Sequence, residues 1–184
     1  MKKNVNVILI FTLLVSFLKV DSNSIDKVYI TDSFFKKIIE ACSLLDEARE
    51  FEKEDMRIDI DPLTGAIKLD EKILFNTGEF ILKPEGKEYL KEFIPKYVKI
   101  LLGDKEIRNE VAQIIVEGHT DDTGTYIYNL NLSQRRAFEV IKYIYEDMEF
   151  EEKILLQEYI TANGRSKMNL IYNGHGEVDR ERSR

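Results

Sequence analysis

The feature that most narrows the fold is a nearly continuous β-branched run, Val111 to Glu117, set between two segments of helical period. Such a run is consistent with a buried central strand, and a strand of that kind needs helices laid against its sheet. Upstream, about Pro84 to Leu102 reads as a helix opened by a proline suited to a first turn. Pro95 inside it is expected to bend or divide it. Downstream, about Asn131 to Glu146 sets Leu132, Ala137, Val140, Ile141 and Ile144 on one inner face, with Asn131 as the expected cap. Tyr159 to Ala162 reads as a further strand. Ahead of these, Ile58-Asp59-Ile60-Asp61 and Ile67-Lys68-Leu69 alternate on either side of Pro62-Leu63-Thr64-Gly65, which spells a hairpin. Ile73-Leu74-Phe75 then runs into a turn, Asn76-Thr77-Gly78, and the acidic stretch Asp147 to Glu158 reads as a lengthened loop. The expected class is α/β (α+β): a two-layer sandwich with a small mixed sheet and helices on one face.

The N-terminus has a different character. Met1-Lys2-Lys3 is basic, and Asn4 to Leu18 then carries no charge until Lys19. As a helix that run would span roughly 22 Å, short of the ~30 Å hydrocarbon core. Residues 1–20 therefore read as an apolar helix serving as a signal peptide or a short uncleaved anchor, and either use places the remainder outside the cytoplasmic membrane. Residues 21–56 read as a linker. Within it, Phe34, Phe35, Ile38, Ile39, Cys42, Leu45 and Phe51 make an amphipathic helix that packs on its own domain, spaces the domain from a membrane, or pairs two copies as a homodimer.

Composition removes several functions. The formal charge of −7 offers no basic field for a polyphosphate backbone, so nucleic acid is not an expected partner. One cysteine excludes an intrachain disulfide; the two histidines, His119 and His175, could at most belong to a metal site that also needs carboxylates, and His119 with Asp121 and Asp122 has no second histidine nearby, so no metal is expected. No cofactor is implied. Ser133 has no base at a fixed distance, which leaves a nucleophilic role unsupported and gives no catalytic residue.

One segment carries chemistry. Glu117-Gly118-His119-Thr120-Asp121-Asp122-Thr123-Gly124 is followed by Tyr128-Asn129-Leu130-Asn131-Leu132-Ser133-Gln134-Arg135-Arg136-Ala137. A strand ending at Asp121 and a helix carrying Arg136 set a carboxylate and a guanidinium near one loop, where a ligand with both an ammonium and a carboxylate can be held at its two ends. An amino-acid zwitterion is such a ligand. The plain alternative is a surface ion pair worth ~0–1 kcal/mol.

The spacing of Gly-His-Thr-Asp, a following Gly, Asn, and Leu-Ser-x-x-Arg-Ala resembles the OmpA-like peptidoglycan-binding domains, which include the C-terminal domains of MotB-type stators and the peptidoglycan-associated lipoprotein. Leu74-Phe75-Asn76-Thr77-Gly78 is similar to the family's first strand and turn, and the likeness covers residues 57–184. The resemblance implies that Asp121 receives the ammonium of the diaminopimelate side chain in a peptidoglycan stem peptide and Arg136 its carboxylate. It also implies neutral hydrogen bonds from Thr123 and Asn129, a place for Thr77 in the site, a structural hydrogen bond from His119, and a supporting role for Arg184. The family pattern has an apolar strand after that last arginine, whereas the sequence stops at Arg184, so either a strand is missing or the chain is truncated. The implied function is non-catalytic anchoring to the wall, in the cell envelope. The alternative keeps the domain but makes it the wall anchor of an ion-driven motor with a multi-span stator partner, of the flagellar or the Zorya anti-phage type, which the wording around Tyr128 to Ser133 resembles. Motor subunits carry a membrane-embedded Asp, and Asn4 to Leu18 has none.

Overall fold

A computed structural model describes residues 5–11, 18–19, 59–60, 67–69, 71–109, 111–168, 170–179 and 183. Six strands form one mixed sheet: β1 (Val5–Phe11), β2 (Leu18–Lys19), β3 (Asp59–Ile60), β4 (Ile67–Leu69), β5 (Val111–Gly118) and β6 (Ile160–Gly164), in the order β3-β4-β1-β5-β6 with β2 on β1. The helices are α1 (Glu71–Leu74), α2 (Pro84–Val98), α3 (Lys105–Arg108), α4 (Tyr126–Asp147) and α5 (Lys153–Leu156), with a π-helical turn Lys99–Gly103 after α2.

The expected central strand is β5, flanked by parallel β1 and β6. Its burial alternates. Ile114 and Val116 are closed under the helical layer while Gln113 and Ile115 stay half-buried, with Gln113 donating to Thr161 Oγ1 at 2.9 Å on the opposite face. Helices on one face, as expected, leave the other face only partly covered. The hairpin is also present, with Asp59 opposite Lys68 and Ile60 opposite Ile67.

Four readings are corrected. Val5–Phe11, read as part of an apolar helix, is the strand between β4 and β5. An apolar run without period suits a buried strand as well as a helix, and here the run pairs along its length with parallel β5, at Ile10 and Phe11 with parallel β4, and at Val5 and Asn6 with antiparallel β2. Of the two outcomes expected at Pro95, division does not occur, since α2 runs through it; the coil widens only after Val98, and Asp104 then caps α3 by accepting from the Glu106 and Ile107 amides at 2.7 and 3.0 Å. Ile73 and Leu74 lie in the single turn of α1, and Phe75 alone bridges to Leu82. The stretch Asp147 to Glu158 is more than a loop, because Met148 and Leu156 are buried and α5 lies within it. The amphipathic segment around Phe34 to Phe51, with Cys42, lies outside the described residues.

The core is a slab between α2, α4 and the sheet. Tyr89, Phe93 and Tyr97 stack at successive helical turns, 5.9 and 5.4 Å between centroids, and close with Leu90, Ile94, Val140 and Ile144 over Ile114 and Val116. At its edge, burial pushes the Tyr145 phenol up to about 12 from 10.0, and its Oη has no hydrogen-bond partner among the described residues. Between those values the unfolded chain binds fewer protons than the folded one. The phenol's contribution to stability is therefore complete below pH 10 and lost as pH rises through about 12. Tyr145→Phe should leave neutral-pH stability unchanged or raised and flatten the alkaline limb of a urea-midpoint profile, because it removes both the titration and an unpaired hydroxyl. An alkaline limb as steep as in the parent chain would contradict this.

Candidate functional site

The site begins where β5 meets α4. A Cβ on Gly118 would stand 2.1 Å from the Ser133 carbonyl oxygen, and one on Gly164 would stand 2.5 Å from the Gln134 amide nitrogen. Two strand ends thus touch helix backbone directly, which only glycine permits. Ser133 completes the joint: its Oγ donates to the Leu130 carbonyl and accepts from the Ser166 amide, both at 3.0 Å. Its role is structural.

Below the loop lies a buried polar cluster. The Glu117 carboxylate accepts from Arg165 Nε at 3.2 Å and Asn163 Nδ2 at 3.4 Å, and His119 Nε2 stands 3.4 Å from it. His119 Nδ1 lies 3.1 Å from the Met168 carbonyl oxygen, the structural hydrogen bond expected of it. The Thr120 amide donates to the Ser166 carbonyl at 3.0 Å and the Arg165 amide to the Gly118 carbonyl at 2.9 Å. Residues 165–168 therefore brace the end of β5, which closes at Gly118, three residues before Asp121 and not at Asp121 as expected.

The helix carrying Arg136 starts earlier than its pattern suggested. Thr125 caps it by accepting from the Tyr128 amide at 3.2 Å, which leaves Asn131 as an exposed interior residue instead of a cap. Tyr126, Ile127 and Tyr128 are solvent-exposed apolar side chains of the first turn, so the inward period is legible only from Leu132 on. The earlier start buries Asn129 below the loop, where Nδ2 donates to the Asp121 carbonyl at 3.3 Å, while Asp121 Oδ1 accepts from the Thr123 amide at 2.8 Å. One bond holds the Asp121 backbone and the other its carboxylate.

Arg136 is 2% exposed and Asp121 7%, so neither belongs to a surface ion pair. From α4 the Arg136 side chain reaches under the turn at residues 76–79. Its Nε donates to the Glu79 carbonyl at 2.8 Å, its Nη2 to the Asn76 carbonyl at 3.3 Å, and its guanidinium carbon lies 5.2 Å from the centre of the Phe75 ring. Gly78 takes φ of +74° in that turn, a conformation suited to glycine.

These elements enclose a cavity of about 160 Å³ lined by Thr77, Gly78, Thr120, Asp121, Thr123, Tyr128, Asn129, Leu132 and Arg136. Five of the six residues expected from the sequence, Thr77, Asp121, Thr123, Asn129 and Arg136, meet in it. Arg184, the sixth, lies outside the described residues. Gly78, Thr120, Tyr128 and Leu132 are additional. Thr120 and Gly78 adjoin residues already selected, and the signal for Tyr128 was a tyrosine immediately before the selected asparagine. Chemically the cavity presents an acid, a guanidinium, hydroxyl and amide groups, and two apolar walls.

Comparison with known proteins gives a consistent result. The OmpA family profile matches residues 74–184. The Zorya protein ZorB of Escherichia coli is 32% identical over 146 residues, covering 74% of this chain and 60% of that protein. Outer membrane protein A of Bordetella avium is 28% identical over 123 residues, 67% of this chain and 56% of that protein. The chain thus aligns with less than two thirds of the length of either relative. Among solved structures, a protein described as MotB-like from Desulfovibrio vulgaris superposes with a TM-score of 0.55 at 15% identity, over 83% of this chain and 89% of that one, a likeness of fold. With the profile covering more than half the sequence, including the loop and helix that build the cavity, the chain belongs to the OmpA family.

Proposed function

We propose that the cavity binds peptidoglycan through the zwitterionic end of a diaminopimelate side chain in the stem peptide, and that the protein anchors itself, or its complex, to the wall without catalysis. The observation that carries this reading is one small cavity walled by a buried carboxylate and a buried guanidinium. Asp121 meets the ammonium and Arg136 the carboxylate, as charge-assisted hydrogen bonds. Thr77 and Thr123 add neutral bonds, and Asn129 acts mainly by holding the Asp121 backbone. A neutral sugar would not need both charges. The pocket, within a domain at residues 57–184, then works in the cell envelope, outside the cytoplasmic membrane, with residues 21–56 as linker.

A second reading concerns the assembly. The match to a Zorya protein supports this domain being the wall anchor of a Zorya-type membrane complex with a multi-span stator subunit as partner. Co-purification of the full chain with the product of a neighbouring multi-span gene tests it; a chain that purifies alone from membranes containing that product contradicts it.

For the pocket, the test is sedimentation with insoluble diaminopimelate-type wall in the presence of free competitors. Free meso-diaminopimelate should displace the protein and Nα-acetyl-lysine amide should not, because with both α-groups blocked its only charged end is an ammonium with no carboxylate. Equal displacement by both would refute the clamp. Thr123→Ala and Asn129→Ala should each weaken binding by about 0.5–1.5 kcal/mol, the size of a neutral hydrogen bond.

A further inference from the structure

We infer that Tyr128 is a specificity-determining residue of this pocket: its ring is the apolar wall for the methylene chain behind the zwitterionic head, an inference that rests on the proposed peptidoglycan reading. The ring spans the cavity mouth. Its Cδ1 lies 3.1 Å from where a Cβ on Gly124 would stand, and its Oη lies 3.6 Å from the corresponding point on Gly78. Both glycines have positive φ, +98° and +74°, so each end of the ring rests against a turn kept free of side chains. The backbone that carries the ring is held in the first turn, since the Tyr128 amide is the one that Thr125 caps.

Despite this placement Tyr128 is 53% exposed. A core aromatic would bury its face, and a tyrosine serving only the helix cap would need no ring between two loops. Leu132 lines the same cavity, so an aliphatic chain entering past Tyr128 meets apolar surface before its charged end reaches Asp121 and Arg136. Tyr126 and Ile127, also exposed, are not among the lining residues. The geometry selects a zwitterion carried on an unbranched alkyl chain, since a branch near the head would meet the ring.

The test is the affinity of the full chain for insoluble diaminopimelate-type wall, measured for Tyr128→Ala, Tyr128→Leu, Tyr128→Phe and Asp121→Ala, with melting curves as a check on folding. Tyr128→Ala should lose about 10-fold through lost apolar contact, and Tyr128→Leu less. Tyr128→Phe should stay within about 2-fold of the parent, because the ring face is the contact and its edge hydroxyl is not. Melting of Tyr128→Ala should stay close to the parent. Two results overturn the inference while leaving the pocket reading intact: parental affinity in Tyr128→Ala alongside weak binding in Asp121→Ala, or a loss in Tyr128→Phe as large as in Tyr128→Ala. Parental affinity in Asp121→Ala would instead remove the pocket reading and this inference with it.

Discussion

Asp121→Ala and Arg136→Ala should each weaken wall binding by about 2–5 kcal/mol, because either change leaves the opposite ligand charge desolvated without its partner. The two variants should part company in stability. Arg136 holds the turn at residues 76–79 through the Glu79 and Asn76 carbonyls and packs on Phe75, so its loss uncouples that turn from α4. Hydrogen bonds from a charged donor are worth about 1.5–3 kcal/mol, and Arg136→Ala should lower unfolding free energy by about that much. Arg136→Lys keeps the charge but not the planar fork, and should fall between alanine and the parent in both measurements. Unchanged binding in both alanine variants, with folding intact, would refute the assigned roles.

Gly118→Ala should be the most destabilising single-methyl addition among the described residues. Its Cβ would stand 2.1 Å from a carbonyl oxygen of α4, and neither backbone can yield without separating helix from sheet. Overpacking of this kind costs about 1–3 kcal/mol and occasionally more, and contact with backbone on both sides argues for the upper end. The affected joint also sets Asp121 against the start of α4, so wall binding should fall together with stability. Gly174→Ala is the control, because nothing lies within 4 Å of its Cβ position. Urea unfolding of the two variants decides the matter: similar midpoints would contradict the close approach of β5 to Ser133.

Much of this was legible in the residues, for physical reasons that differ by element. The continuous run Val111 to Glu117 and the periodic inner face of α4 are strong signals, and of the residues that meet in the cavity Asp121, Thr123, Asn129 and Arg136 sit at fixed spacing around one strand-to-helix connection. Other features gave no local signal. The start of α4 was hidden because exposed Tyr126, Ile127 and Tyr128 break its amphipathic period. The role of Arg136 in hanging the 76–79 turn joins residues 57 and 60 positions apart, a distance no local pattern reports. Val5–Phe11 was ambiguous in principle, since a run that is apolar apart from Asn6 and has no clear period suits a helix and a flanked strand alike. The Glu117, His119 and Arg165 cluster likewise depends on β6 lying beside β5.

The central claim is that one cavity holds both ends of a diaminopimelate zwitterion, with the ammonium at Asp121 and the carboxylate at Arg136. Its most direct test is a nuclear magnetic resonance titration of the full chain with meso-diaminopimelate, following backbone amides and the arginine Nε–H signals. Saturable shifts concentrated at Thr77, Thr120, Asp121, Thr123, Asn129 and the Arg136 Nε–H, abolished in Asp121→Ala, are the predicted result. Shifts centred elsewhere on the domain, or the same shifts persisting in Asp121→Ala, would contradict it.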